Sequence, residues 1–210
     1  MEIWESGLVA CLSAEKKSAT EMGKLIKKLT LTIAVLDSDV TFAANEWRKE
    51  PSNQFWRRTL IRCVCAQAEG TLGLLKNITP DSANFFDVNL TAKDIEVATE
   101  RRAFTENGIT KTKPVFLPFP ENVKETFKVF TKAHATQVVI KYDEEGFGDL
   151  CNTFEVRNKL MHPKGPFDVE VRDRAIDAAD RGINWFGSVL RRILAECGKK
   201  LPFSQNNLNN

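Results

Sequence analysis

The sequence predicts an all-α protein, a helical bundle of about four or five main helices. Three observations predict it. Apolar residues recur at steps of three and four along several long stretches, the period of a helix with one buried face. Alternation with period two is confined to short runs. Proline, glycine and asparagine fall between the periodic stretches, where helices end. Apolar residues make up 42% and charged residues 28% of the 210. That composition is ordinary for a globular chain and long enough to bury a core without staples, since chains of ~150–300 residues bury roughly 70–75% of their unfolded surface.

The first helix is expected from about Thr20 to Lys49. Leu25, Leu29, Ile33, Leu36, Val40, Ala43 and Trp47 form its stripe, and Pro51 ends it. Within it Leu29–Ile33 also alternates like a strand, but length favours the helix. A second helix runs from about Ser52 to Lys76. Leu60, Ile61, Val64, Ala68, Thr71, Leu72 and Leu75 lie in one arc of roughly 120°. Arg58, Arg62, Cys65 and Glu69 lie on the opposite side, and Asn77–Pro80 is expected to close the helix.

The middle is less regular. Thr91 with Asp94 three residues later reads as a helix cap, and Asn107-Gly108 as its break. Lys111–Pro120 holds two prolines around Val115-Phe116-Leu117 and reads as an extended connector. Pro120 suits the first turn of a helix carrying Val123, Phe127 and Phe130. A short helix follows from Asp149 to about Met161. The last runs from about Arg172 to Cys197, with Ile176, Ala179, Ile183, Phe186, Leu190, Ile193 and Leu194 on one side and Gly198 as a stop signal. The chain thus reads as one domain over 1–203, with a less regular insertion at about 80–120, and a polar tail over 204–210.

Composition narrows the function classes. Lys plus Arg is 30 against 28 for Asp plus Glu, a formal charge of +2, so binding nucleic acid through bulk charge alone is not expected. The start, Met1-Glu2-Ile3-Trp4-Glu5, is acidic where a secretory signal is basic. No stretch approaches the ~20 apolar residues of a membrane span. The five cysteines, Cys11, Cys63, Cys65, Cys151 and Cys197, are odd in number and lack CxxC spacing, so free thiols in a reducing cytoplasm are expected. GxGxxG, GxxxxGK[ST], GxSxG and HExxH are all absent. The only histidines are His134 and His162, and neither a metal nor a cofactor is expected. His134, in Lys132-Ala133-His134-Ala135, reads as a surface or interface residue without chemistry.

The informative segment is Phe154-Glu155-Val156-Arg157-Asn158-Lys159-Leu160-Met161-His162-Pro163-Lys164. Arg157 and His162 are five apart, ~140° around a straight helix, whereas Asn158 and His162 share a face. Pro163 biases His162 out of the helical region. The expected picture is a helix ending near Met161 with His162 in its unwound last turn, its ring able to swing towards Arg157 or Asn158. There the negative helix end favours an imidazolium and a guanidinium opposes it.

Arg157-Asn158-x3-His162 matches the Arg-polar-x3-His motif of HEPN domains, and this part of the chain resembles that family of small helical bundles, common in prokaryotic toxin and phage-defence ribonucleases. Phe55-Trp56-Arg57-Arg58, Arg62 and Glu69-Gly70 in the second helix, and Trp185-Phe186 in the last, are similar to features of uncharacterised bacterial members. The likeness covers about residues 20–195 in layout; about 80–120 aligns with nothing.

The resemblance implies metal-independent RNA cleavage, in which a 2′-hydroxyl attacks the adjacent phosphate and leaves a cyclic phosphate. His162 would move a proton, Arg157 would hold the phosphate with its forked donors, and Asn158 would orient the ring or touch phosphate. It also implies a homodimer with facing motifs, which supplies two copies of His162 around one groove, and leaves room for an antitoxin or other protein partner.

Arg58, Arg62 and Glu69 have two readings: a solvated face, or a face packed beside the motif helix with Glu69 pairing with Arg157. Lys164 is a phosphate contact or a solvated lysine. Two rival readings of the whole chain remain: a non-catalytic module that binds a partner protein or nucleotide, and an Arg157–Glu69 ion pair that only braces the bundle.

Overall fold

The computed structural model describes the backbone of residues 2–200 and the side chains of residues 22–200. The polar tail and Cys11's side chain lie outside that range. The architecture is an all-α bundle: α1 (Glu2–Lys49), α2 (Gln54–Phe85), α3 (Ala92–Thr99), α4 (Phe119–Ala133), α5 (Glu145–Met161) and α6 (Asp173–Gly198). A hairpin of β1 (Arg101–Glu106) and β2 (Ile109–Pro114) stands between α3 and α4. Five helices are long and α3 is short. Among the described residues no helix is long and apolar enough to cross a membrane.

The core forms where the apolar stripes meet. Ile61, Val64, Leu72 and Leu75 of α2, Val123, Phe127 and Phe130 of α4, Leu150 of α5 and Phe186 and Ile193 of α6 are all almost wholly buried. α1 and α2 form an antiparallel pair, with Leu36 against Gly70, Asp37 bonded to Gln67, and Phe42 edge-on to Trp56. Trp185 is buried and donates from Nε1 to Glu144 at 2.9 Å, which ties α6 to the start of α5.

Several elements differ from the sequence expectation: α1 begins at Glu2 rather than about Thr20, α5 begins at Glu145 rather than Asp149, and three differences lie between them. α2 does not stop at Asn77–Pro80 but runs to Phe85 with Pro80 inside it. Pro80 forfeits one amide donor, but Ile78, Thr79, Ser82 and Ala83 continue the buried face through it, and that burial outweighs one lost bond. Asn107-Gly108 does not break a helix. α3 ends earlier, at Glu100 in the left-handed region (φ 53°), and Asn107 (φ 51°) and Gly108 (φ 75°) make the hairpin turn, as a type I′ turn with two positive φ values requires. Lys111–Pro114 is therefore β2 rather than connector. The hairpin is exposed on both faces, so hydrophobic period cannot announce it.

Other expectations hold. Thr91 and Asp94 form a capping box: Asp94 N–H donates to Thr91 Oγ1 at 3.2 Å, and Thr91 N–H to Asp94 Oδ2 at 2.8 Å. Pro120 sits in the first turn of α4, and α5 and α6 end where expected. His134 is a correction: it is buried, 2% exposed, not a surface residue. Its Nδ1 lies 2.9 Å from the Phe130 carbonyl, and its ring packs between Phe130 and Phe86. Burial pushes its pKa below the ordinary value, because the apolar site disfavours the cation.

At Gly182 the α6 backbone lies directly against the α5 backbone. A Cβ there would stand 2.7 Å from the backbone N and Cα of Leu150, so no side-chain rotation relieves it. Gly182→Ala should destabilise the protein by about 1–3 kcal/mol, read from urea unfolding, with Gly187→Ala as the tolerated control because its nearest neighbour is a flexible arginine tip at 3.5 Å.

His134 gives a pH prediction. Its folded pKa is depressed, so its contribution is complete above the unfolded value, roughly pH 6.5, and is lost as pH falls below it. Urea unfolding at about pH 7.5 and about pH 5.5 should show a larger acid loss for the wild type than for His134→Phe. Equal losses would mean the ring carries no such linkage.

Candidate functional site

α5 delivers the motif. Its last helical bond runs from the His162 N–H to the Asn158 carbonyl at 3.0 Å. His162 then leaves the helix with φ −133° and ψ 60°, as expected of a residue before proline. Both His162 and Asn158 are exposed. Among the described residues neither the His162 ring nor the Asn158 amide makes a hydrogen bond, so an imidazole and an amide meet solvent at one helix end.

Arg157 is held more firmly. It is half-buried, its guanidinium bonds Glu69 of α2, and it lies 5.1 Å from the centre of the Phe154 ring. Phe154 in turn stacks on Phe119 of α4, centroids 3.4 Å apart and planes 16° from parallel. An ion pair on one side and an aromatic face on the other fix the fork's plane. One turn earlier, Cys65 Sγ lies 3.8 Å from the Thr153 carbonyl. Burial pushes its thiol up to about 12, only partly countered by Arg157, so Cys65 is a packing residue rather than a nucleophile. The described cysteines are all free.

The chain leaving the motif is strapped to the start of α2. The Lys164 N–H donates to Asp168 Oδ2 at 2.8 Å, and Pro166–Val169 makes a 3-10 turn. Gln54 then bonds the backbone of Val171 twice, donating to its carbonyl at 3.1 Å and accepting from its N–H at 2.8 Å. Arg57 donates to the same carbonyl at 3.0 Å and pairs with Asp173 at 2.6 Å. Arg58 donates to the Val169 carbonyl at 3.2 Å.

The α2 residues expected together thus separate. Glu69 reaches Arg157. Arg58 holds backbone. Cys65, expected on the solvent side with them, is buried. The solvated-face reading therefore fails for Cys65 and Arg58 and describes Arg62, which is exposed and makes no ion pair among the described residues. The Lys164 side chain is exposed and joins nothing in the site. Sequence reasoning missed Gln54, Arg57 and Phe154. Phe154 stands three residues before Arg157, a spacing that places it beside the arginine on a helix; Gln54 carried no signal.

Chemically, the arrangement offers a fixed guanidinium, an exposed imidazole and an exposed amide. An anion approaching Arg157 must share it with Glu69 or displace that carboxylate. Among the described residues, no group of three or more His, Cys, Asp or Glu side chains is placed to hold a metal ion. No family model, no curated protein and no solved structure matches the chain.

The strap should matter more to stability than the ion pair. Val171 is 1% exposed, and its carbonyl keeps the Arg57 bond, so Gln54→Ala leaves the Val171 N–H unpaired at a dry position and should cost about 1–3 kcal/mol. It should also speed tryptic cleavage between Met161 and Arg172. Glu69→Gln breaks a pair whose side chains are 23% and 51% exposed and should cost under about 1 kcal/mol. Urea unfolding and timed proteolysis of both variants test this order; a larger loss for Glu69→Gln would reverse it.

Proposed function

We propose that the chain is a metal-independent endoribonuclease of the HEPN type, working as a cytoplasmic homodimer in a toxin or phage-defence role. The observation that carries the reading is the Arg157-Asn158-x3-His162 motif at the end of α5, with Arg157 anchored and His162 and Asn158 open to solvent. An imidazole free of backbone bonds is what proton transfer to and from RNA requires.

In this reading His162 takes the proton of the 2′-hydroxyl as that oxygen attacks the neighbouring phosphorus. The bond to the 5′-oxygen breaks, and that oxygen leaves with a proton from a second acid. His162 of a second copy, brought opposite by a two-fold axis, supplies the acid. Arg157 faces the charge that builds on the phosphoryl oxygens, and Asn158 bonds the same group or the ring. Glu69 positions Arg157. Arg62 and Lys164, both exposed, add phosphate contacts along the RNA; Arg58 serves the strap.

One observation favours a second reading, a non-catalytic module that binds a partner protein, such as an antitoxin, or a nucleotide. Arg157 is already neutralised by Glu69, and the chain carries a net charge of only +2, so phosphate binding starts from a weaker field than in a strongly basic protein.

The deciding experiment is RNA cleavage by the purified protein in EDTA, wild type beside His162→Ala, with product ends analysed. The expected result is 2′,3′-cyclic phosphate ends and a rate loss of at least ~100-fold in the variant. No cutting of several RNAs by folded, dimeric protein would move the assignment to the binding module.

A further inference from the structure

The segment after α4 is built like a strand without a partner. α4 ends with Ala135 in the left-handed region (φ 49°), and the Thr136 N–H returns to the Thr131 carbonyl at 3.1 Å. From Thr136 to Tyr142 burial alternates residue by residue. Thr136, Val138, Ile140 and Tyr142 are half-buried, and Val138, Ile140 and Tyr142 pack on the core; Gln137, Val139 and Lys141 point out, Val139 being 82% exposed. Period two is the mark of an extended chain lying on a support. Yet among the described residues no backbone N–H or C=O from Gln137 to Tyr142 is hydrogen-bonded. The sequence there, Thr136-Gln137-Val138-Val139-Ile140-Lys141-Tyr142, is rich in the β-branched and aromatic residues that favour pairing.

Beside this segment runs a cleft of about 840 Å³ whose opposite wall is α4. Lys124, Lys128 and Lys132 line that wall at one-turn intervals. Their charges are only partly met. Lys132 pairs with Asp94 at 2.5 Å, and Lys128 stands 3.7 Å from Glu125. Among the described residues Lys124 has no carboxylate in ion-pair range, and it sits over the Tyr142 and Phe147 rings at 5.5 and 5.3 Å.

We propose that this cleft binds an extended acidic segment of another protein, which adds to Thr136–Tyr142 as a β-strand and sets its carboxylates against the Lys124–Lys128 row. Strand addition supplies affinity through the main chain, and the lysine row selects the charge. Two competing occupants fit less well. A second copy of this chain would bring its own lysine row against this one. A single-stranded RNA has no alternating donors and acceptors at strand spacing, and Lys124 already covers the Tyr142 face on which a base would stack. The proposal is independent of the ribonuclease reading and is tested without RNA cleavage.

The probe is a fluorescein-labelled, acetylated heptapeptide of alternating glutamate and valine, titrated against the full chain by anisotropy. Saturable binding is expected, weakened about tenfold by Lys128→Glu and equally by methylating alternate backbone nitrogens of the peptide. Hydrogen exchange should slow within residues 137–142 when the peptide binds. The Lys128 side chain is 68% exposed, so the variant keeps the fold, as circular dichroism will show. Equal binding of the methylated peptide would reduce the site to charge alone and overturn strand addition. So would self-association through these residues, binding of oligouridylate in place of the peptide, or no binding by folded protein.

Discussion

Residue 182 has room for a hydrogen and nothing larger. Its glycine lets the α6 backbone lie against Leu150 of α5, and on that contact the rest of the site depends. α5 is held at this point from one side by Gly182, and beside it Arg181 clamps Asp149 at 2.6 Å. With α5 seated against α6, its other side presents Thr153 and Arg157 to Cys65 and Glu69 of α2. The motif helix is thus wedged between two long helices, and the position of Arg157 follows from packing rather than from its own ion pair.

That order of causes fits the energetics. The Arg157–Glu69 pair is partly open to water, where such pairs contribute little to stability. The contacts that hold the region are drier: Phe154 on Phe119, and the Val171 backbone on Gln54. Glu69 therefore serves to orient the guanidinium. It also leaves the fork occupied, so the proposed phosphate role of Arg157 requires an anion able to compete with a carboxylate. An RNA phosphodiester carries one negative charge on two non-bridging oxygens, as a carboxylate does, so it displaces Glu69 only as further charge builds on those oxygens during attack.

The parts of the fold legible in the sequence are those with local causes. Pro120 set the start of α4, Thr91 and Asp94 the start of α3, and His162-Pro163 the end of α5, because each signal acts within one turn. The illegible parts have distant causes. Pro80 looked like a stop, but burial of Ile78 and Ser82 against other elements carries α2 through it. The hairpin shows no apolar alternation because nothing covers either face. His134 looked exposed because its neighbours in sequence are small and charged; the rings that bury it come from α2 and α4 packing. At the site, the Arg157–Glu69 partnership was among the readings of the spacing, whereas Gln54, which grips a segment 117 residues away, left no trace in pattern.

The net charge of +2 conceals how the charge is distributed. The hairpin residues 101–114 hold Arg101, Arg102, Lys111 and Lys113 against Glu106, which is +3 by itself, more than the whole chain. α4 adds the lysine row along its cleft, while Asp143, Glu144, Glu145 and Asp149 gather at the start of α5. At ordinary ionic strength an exposed charge acts over only about 8–10 Å, so a partner meets these local groups and not the total. Near-neutral overall charge therefore excludes neither a phosphate-bearing nor an acidic protein partner. What separates them is the geometry offered beside each lysine: backbone from Gln137 to Tyr142 that is unpaired among the described residues, and an imidazole with an arginine at the end of α5.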